Sequence, residues 1–119
     1  MYKILEFEDD EDLGKVAQVE FSTPKRGSYA YLLGNFNTFN GGSFRMKEKG
    51  DRWTIKVELP EGIWYYLFSI DGNLTLDFGN NEKAVYGRLS YKFEQITNVA
   101  KIFSGEEFHR FQDVVEKGE

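Results

Sequence analysis

Cysteine is absent, histidine occurs once and proline twice in the 119 residues. Without cysteine there can be neither a disulfide framework nor a thiolate metal site. Zinc ordinarily needs several Cys or His ligands, and the one imidazole here is His109. No metal or cofactor is therefore expected, and a cytoplasmic location is the expectation for a chain without disulfides. No apolar run approaches the roughly 20 residues of a membrane span. The start MYKILEFEDDED lacks the basic head and apolar centre of a secretory leader, so the glycosylation triplet Asn73-Leu74-Thr75 carries no weight. Positive charge is the scarcer sign, with 15 Lys and Arg against 20 Asp and Glu, a net charge of −5 and a pI near 5.0. Nucleic-acid affinity rests largely on cations that neutralise phosphates, so neither a nucleic acid nor a membrane is an expected partner.

Apolar surface is plentiful: hydrophobic residues make up 40% of the chain and aromatic ones 17%. That suits one packed domain with no room for a second core. Strand patterns dominate. Residues 52–59 alternate with Trp53, Ile55, Val57 and Leu59 on one face and Thr54, Lys56 and Glu58 on the other, the period of a strand with one buried side. Pro60-Glu61-Gly62 turns into the aromatic and β-branched run 63–70, IWYYLFSI, and Asp71-Gly72-Asn73 is a hairpin signal because glycine accepts positive φ. Further strands are predicted over 15–22, 29–34, 74–77, 85–94 and 97–103, with SFRMKE (43–48) also strand-like. Seven or eight short strands with frequent turns predict an all-β antiparallel sandwich. From Ser104 the pattern changes. Glu107 lies three residues after Ser104, as in a capping box, and Phe108, Phe111 and Val115 fall at helical spacing. A sandwich over 1–103 and a short helix or linker over 104–119 follow.

Few residues offer chemistry. His109 has no nucleophile elbow to serve, since no Gly-x-Ser-x-Gly occurs. The acidic stretch Glu6–Asp12 lacks the spaced ligands and central glycine of a calcium loop and reads as a solvated segment. Asp71 and Asp77 flank a hairpin and read as turn and edge residues rather than a hydrolytic pair. No catalytic residue is assigned. The loop GNFNTFNGG (34–42) lacks the Lys-Ser/Thr and following helix of a phosphate cradle. It does set aromatic faces (Phe36, Phe39) beside amides (Asn35, Asn37, Asn40), complementary to a sugar with an apolar C–H face ringed by hydroxyls. Asparagine and glycine are equally the residues of plain turns.

The ordered set GNFNTF (34–39), RWTIKVELPEGIWYYLFSIDG (52–72) and Asp77 resembles the glycogen-binding type of carbohydrate-binding module. That module occurs in the β subunit of AMP-activated protein kinase and as the N-terminal domain of α-amylase-family enzymes such as maltogenic amylases, neopullulanases and isoamylases. The resemblance covers about residues 15–103. It implies an early-set immunoglobulin-like sandwich in a non-catalytic accessory domain, linked to starch or glycogen metabolism. The implied function is weak α-1,4-glucan binding or docking to a catalytic domain. By the same resemblance the glucan-contacting candidates are Phe39, Asn37, Tyr65, Leu67, Leu74 and Asn98.

Three positions depart from the family pattern. Phe39 stands where glycan-binding members carry Trp, Leu67 where Lys is frequent, and Leu74 where a second aromatic follows the Asp-Gly turn. Losing a charge-assisted hydrogen bond costs about 1.5–3 kcal/mol and losing an aromatic platform roughly 1 kcal/mol. Together they imply an affinity lower by about a hundredfold or more. If Tyr66, Phe68 and Ile70 point inward, then Ile63, Tyr65, Leu67 and Ser69 point outward, forming an apolar outer patch with Phe39 and Leu74. Such a patch is a docking surface for a catalytic domain or for a homodimer partner, or the seat of the terminal helix through Phe108 and Phe111. A free-standing interaction or dimerisation module with a degraded sugar site is the alternative reading.

Overall fold

The computed structural model describes residues 1–87 and 94–104. Among these residues nine strands run in chain order: β1 (Tyr2–Asp10), β2 (Gly14–Pro24), β3 (Ala30–Gly34), β4 (Lys47–Lys49), β5 (Arg52–Pro60), β6 (Gly62–Ile70), β7 (Asn73–Thr75), β8 (Lys83–Gly87) and β9 (Glu94–Ile102). They form two antiparallel sheets. One has the order β1-β2-β5-β4; the other runs β3-β6-β9-β8, with β7 also paired to β6. β9 pairs with residues 62–66 of β6 and β7 with residues 68–70. The predicted sandwich is therefore present.

The period-two pattern of β5 is realised as read: Trp53 and Leu59 are buried, and Lys56 and Glu58 are exposed. β6 and β7 meet through a two-residue turn at Asp71 (φ 51°) and Gly72 (φ 84°), the positive-φ pair that matches the twist of a tight hairpin. The Asp71 carboxylate also accepts from the backbone N–H of Ser28 (2.8 Å) and Tyr29 (3.2 Å), pinning the loop before β3. Between the sheets lies one apolar core, in which Phe21 and Tyr66 meet edge to face at 4.9 Å between ring centroids. Tyr66, Phe68 and Ile70 all enter that core, so the inward register of β6 is the expected one.

Two elements depart from expectation. The acidic N-terminal stretch is solvated at its carboxylates, as read, but most of it belongs to β1, paired along its length with β2. A bulge between Ile4 and Glu6 breaks the alternation, so the side chains packed on the core are Tyr2, Ile4 and Phe7. That two-then-three spacing hid the strand, because an extra bulged residue shifts the inward positions by one. The predicted strand over 85–94 proves to be two pieces, β8 ending at Gly87 and β9 beginning at Glu94. Of the predicted helix or linker over 104–119, all but Ser104, including Phe108, His109 and Phe111, lies outside the described residues.

Candidate functional site

The outer face of the second sheet carries a groove of about 550 Å3. Its floor is Leu67 with its cross-strand partner Leu33; Phe39, Leu74 and Tyr86 line it further, and Asn35, Thr38 and Gln95 supply polar groups. The loop after β3 builds one wall. At Gly34 a Cβ would stand 2.3 Å from the Phe36 ring and 2.8 Å from the Tyr65 carbonyl oxygen, so only glycine fits there. Asn37 then folds the loop on itself. Its Oδ1 accepts from the Gly34 N–H (2.9 Å), while its Nδ2 donates to the Leu32 carbonyl (3.0 Å) and the Ser43 hydroxyl (3.3 Å).

The loop parts its two phenylalanines. Phe36 packs inward, with ring contacts to Phe21, Phe44 and Trp64. Phe39 instead meets Tyr86 at 5.0 Å, and Tyr86 meets Tyr65 at 5.4 Å. Thr38 (φ 54°) and Phe39 (φ 53°) both hold left-handed backbone, a conformation that costs a non-glycine residue on the order of 1–3 kcal/mol. Strain of this kind persists where surrounding contacts enforce it, and here it sets an aromatic ring at the groove.

Among the described residues no carboxylate, lysine or arginine lines the groove, a lining that suits a neutral ligand. Asn35 Oδ1 accepts from the Tyr65 N–H (3.1 Å), which leaves its amide NH2 free to donate. Gln95 spends an N–H on the Ile96 carbonyl (2.9 Å) and keeps its own carbonyl as an acceptor.

The model of the glycogen recognition site of AMP-activated protein kinase matches residues 17–101. The chain belongs to this family. A maltogenic amylase from S. marinus superposes with a TM-score of 0.74 at 20% identity, over 89% of this chain and 16% of the amylase. The module thus shares a β-sandwich fold with a small part of that enzyme. No curated protein sequence matches the chain.

The module brings Phe39, Leu67 and Leu74 together at the groove, with Tyr65 reaching it through Tyr86. Leu67 differs from the exposed surface residue that alternation suggested. It is only 2% exposed, because the loop and the neighbouring strands raise walls around it, so the patch is a trough. Asn37 is engaged in loop hydrogen bonds rather than offered to a ligand. Asn98 does not join the site. It is fully buried; its Oδ1 accepts from the Asp77 N–H (2.7 Å), and its Nδ2 donates to the carbonyls of Asp77 and Asn80 (both 3.0 Å). The pairing Tyr66↔Asn98 explains this, since a partner opposite an inward residue also points inward. Tyr86 and Gln95, cross-strand partners in β8 and β9, went unread in the sequence. Both fall within or beside the misplaced strand boundary.

Asp77 is a buried hub instead of an edge residue. Its carboxylate accepts from the Tyr66 hydroxyl (2.6 Å), the Gly79 N–H (3.0 Å) and the Met1 ammonium. Burial above all pushes the Tyr66 phenol far above its ordinary value; the Asp77 bond adds to the rise and the Asn80 amide opposes it. A raised tyrosine pKa means that the folded state holds its proton after the unfolded chain has lost it. Its stabilisation is complete below the ordinary value near 10 and declines above it. Stability should fall by up to about 1.4 kcal/mol per pH unit beyond that point on account of this one group. Thermal unfolding from pH 9 to 11 should show a shallower loss for Tyr66→Phe than for the unaltered chain; parallel profiles would refute the assignment.

Proposed function

We propose that the module is a non-catalytic accessory domain that binds α-glucan in the groove walled by Phe39 and Tyr86. The observation that carries this is an aromatic-walled trough, uncharged among the described residues, on the outer sheet face of a chain in the glycogen-recognition family. A glucose ring offers an apolar C–H face to Phe39 or Tyr86, while its hydroxyls accept from the Asn35 amide and donate to the Gln95 carbonyl.

Titration with maltoheptaose, followed by amide shifts and calorimetry, tests this. Tryptophan fluorescence is a poor reporter, because both indole N–H groups are tied to backbone carbonyls away from the groove, Trp53 to Arg26 and Trp64 to Pro60 (2.9 Å each). Shifts should centre on residues 35, 39, 67, 74, 86 and 95. Phe39→Ala and Tyr86→Ala should each weaken binding about tenfold, equal to about 1.4 kcal/mol. Shifts elsewhere, or an affinity unchanged from that of the unaltered chain in both variants, would reject the groove. A second reading, docking to a catalytic domain, draws on Ile63, 47% exposed on the outer side of β6, and on Phe103, also exposed, just past the end of β9. It is favoured if maltoheptaose causes no shift at all.

A further inference from the structure

The four-stranded sheet has an outer face of a different kind. The inward positions of β2 are Ala17, Val19 and Phe21, so Gln18, Glu20 and Ser22 face outward, and cross-strand partners share that side. The register then sorts the charges. Opposite Gln18 lie Glu6 and Glu58, and opposite Val16 lies Glu8, with Asp10 one step further along β1. Toward the other end, Lys3 and Lys56 flank Glu20, Lys47 lies opposite Thr54, and Lys49 opposite Arg52. Arg45 joins Lys47, Lys49 and Lys56 around a depression of about 440 Å3 in which Glu20 is the one carboxylate. Glu48 turns away, bonded to Lys25 (2.8 Å).

One face of the sheet is thus divided, with carboxylates at one end and cations at the other. From the Thr54 row to the Val16 row is six residues along β2, or about 20 Å at 3.3 Å per residue. None of Arg45, Lys47, Lys49 or Lys56 has an ion-pair partner among the described residues, and neither do Glu6, Glu8 or Asp10. Four cations clustered on one face are conspicuous in a chain of net charge −5, and no ion pair among the described residues explains them.

We propose that this face pairs with the same face of a second copy of the chain. A twofold axis lying between two such faces, perpendicular to the line joining the charged ends, sets each carboxylate end over the other copy's cationic end. An isologous interface uses every complementary contact twice, so the divided face is complementary to itself. Exposed ion pairs contribute little individually, which makes the association weak and strongly dependent on salt. The opposite sheet, which carries the groove, stays open in such a dimer.

Analytical ultracentrifugation of the full chain decides the matter. Self-association is expected in about 0.02 M salt, where the Debye length is about 20 Å, and should vanish near 0.5 M, where it is about 4 Å. Lys47→Glu/Lys49→Glu and Glu6→Lys/Glu8→Lys alter exposed side chains, and each variant alone should be monomeric at low salt. Mixed together they should associate again, since one then carries an acidic face and the other a basic one. Lys47→Gln/Lys49→Gln, which removes charge without reversing it, should weaken association less. A monomeric unaltered chain at low salt, a dimer indifferent to salt, or reversed variants that do not re-associate on mixing would each overturn the proposal.

Discussion

Phe21→Ala should destabilise the module by about 3–5 kcal/mol, the usual cost of emptying a buried aromatic site. Phe21 sits on β2 with no exposed surface and has ring contacts to Tyr2, Phe36 and Tyr66. It joins the two sheets at the middle of the sandwich, where rigid strands cannot collapse into the space left behind. A domain of this size has about 5–15 kcal/mol of stability in all. At about 4 °C per kcal/mol, the thermal midpoint should drop on the order of 12–20 °C, as read by calorimetry. The matched control is Phe39→Ala, which removes a ring of equal size from the groove wall. It should cost far less, because that ring is only half buried. Equal losses at the two positions would contradict the division of inward and outward rings.

Asp77→Ala should cost about 2–4 kcal/mol, since a buried group stripped of its partner bears its desolvation penalty in full. The carboxylate is the acceptor for the Tyr66 hydroxyl and the Gly79 N–H. With it gone, the phenol keeps only the Asn80 amide, which donates to it (3.0 Å), and its own proton has no acceptor. Asp77→Asn retains an oxygen acceptor and should recover about half of the loss. Denaturant unfolding of the two variants measures the difference; an Ala variant as stable as the Asn one would show that the hydrogen bonds contribute nothing. The Met1 ammonium, part-buried and also donating to the Ser22 carbonyl (2.7 Å), loses the same acceptor.

The two core variants, through their contacts to Tyr66, and the groove titration, through Leu67, report on opposite faces of β6. In β6, Tyr66 faces the core and Leu67 faces the groove, so a fault in register would displace both at once. This coupling makes the stability measurements a test of the site as well as of the fold.

Much of this was legible along the chain. The alternation of residues 52–59, the Asp71-Gly72 turn and the aromatic run of β6 identified the sandwich and the inward face, because the strand period fixes which side each residue takes. The spacing of GNFNTF against the later motifs pointed to the loop that walls the groove. Legibility failed where the period was broken or the partner was distant. The bulge after Ile4 disguised β1. Asn98 read as a candidate ligand residue although its strand partner Tyr66 carries it inward. Tyr86 was overlooked because it acquires meaning only through the rings of Phe39 and Tyr65.

The sequence by itself determined the class of fold, the turn positions and the inward register, all of which follow from local periodicity and backbone preference. Only the tertiary structure decided that Leu67 is the floor of a trough, that Phe36 and Phe39 part ways, and that the charges of β1, β4 and β5 divide one sheet face. Each depends on which strands lie side by side, and that pairing joins residues far apart in the chain whose contacts no local pattern encodes.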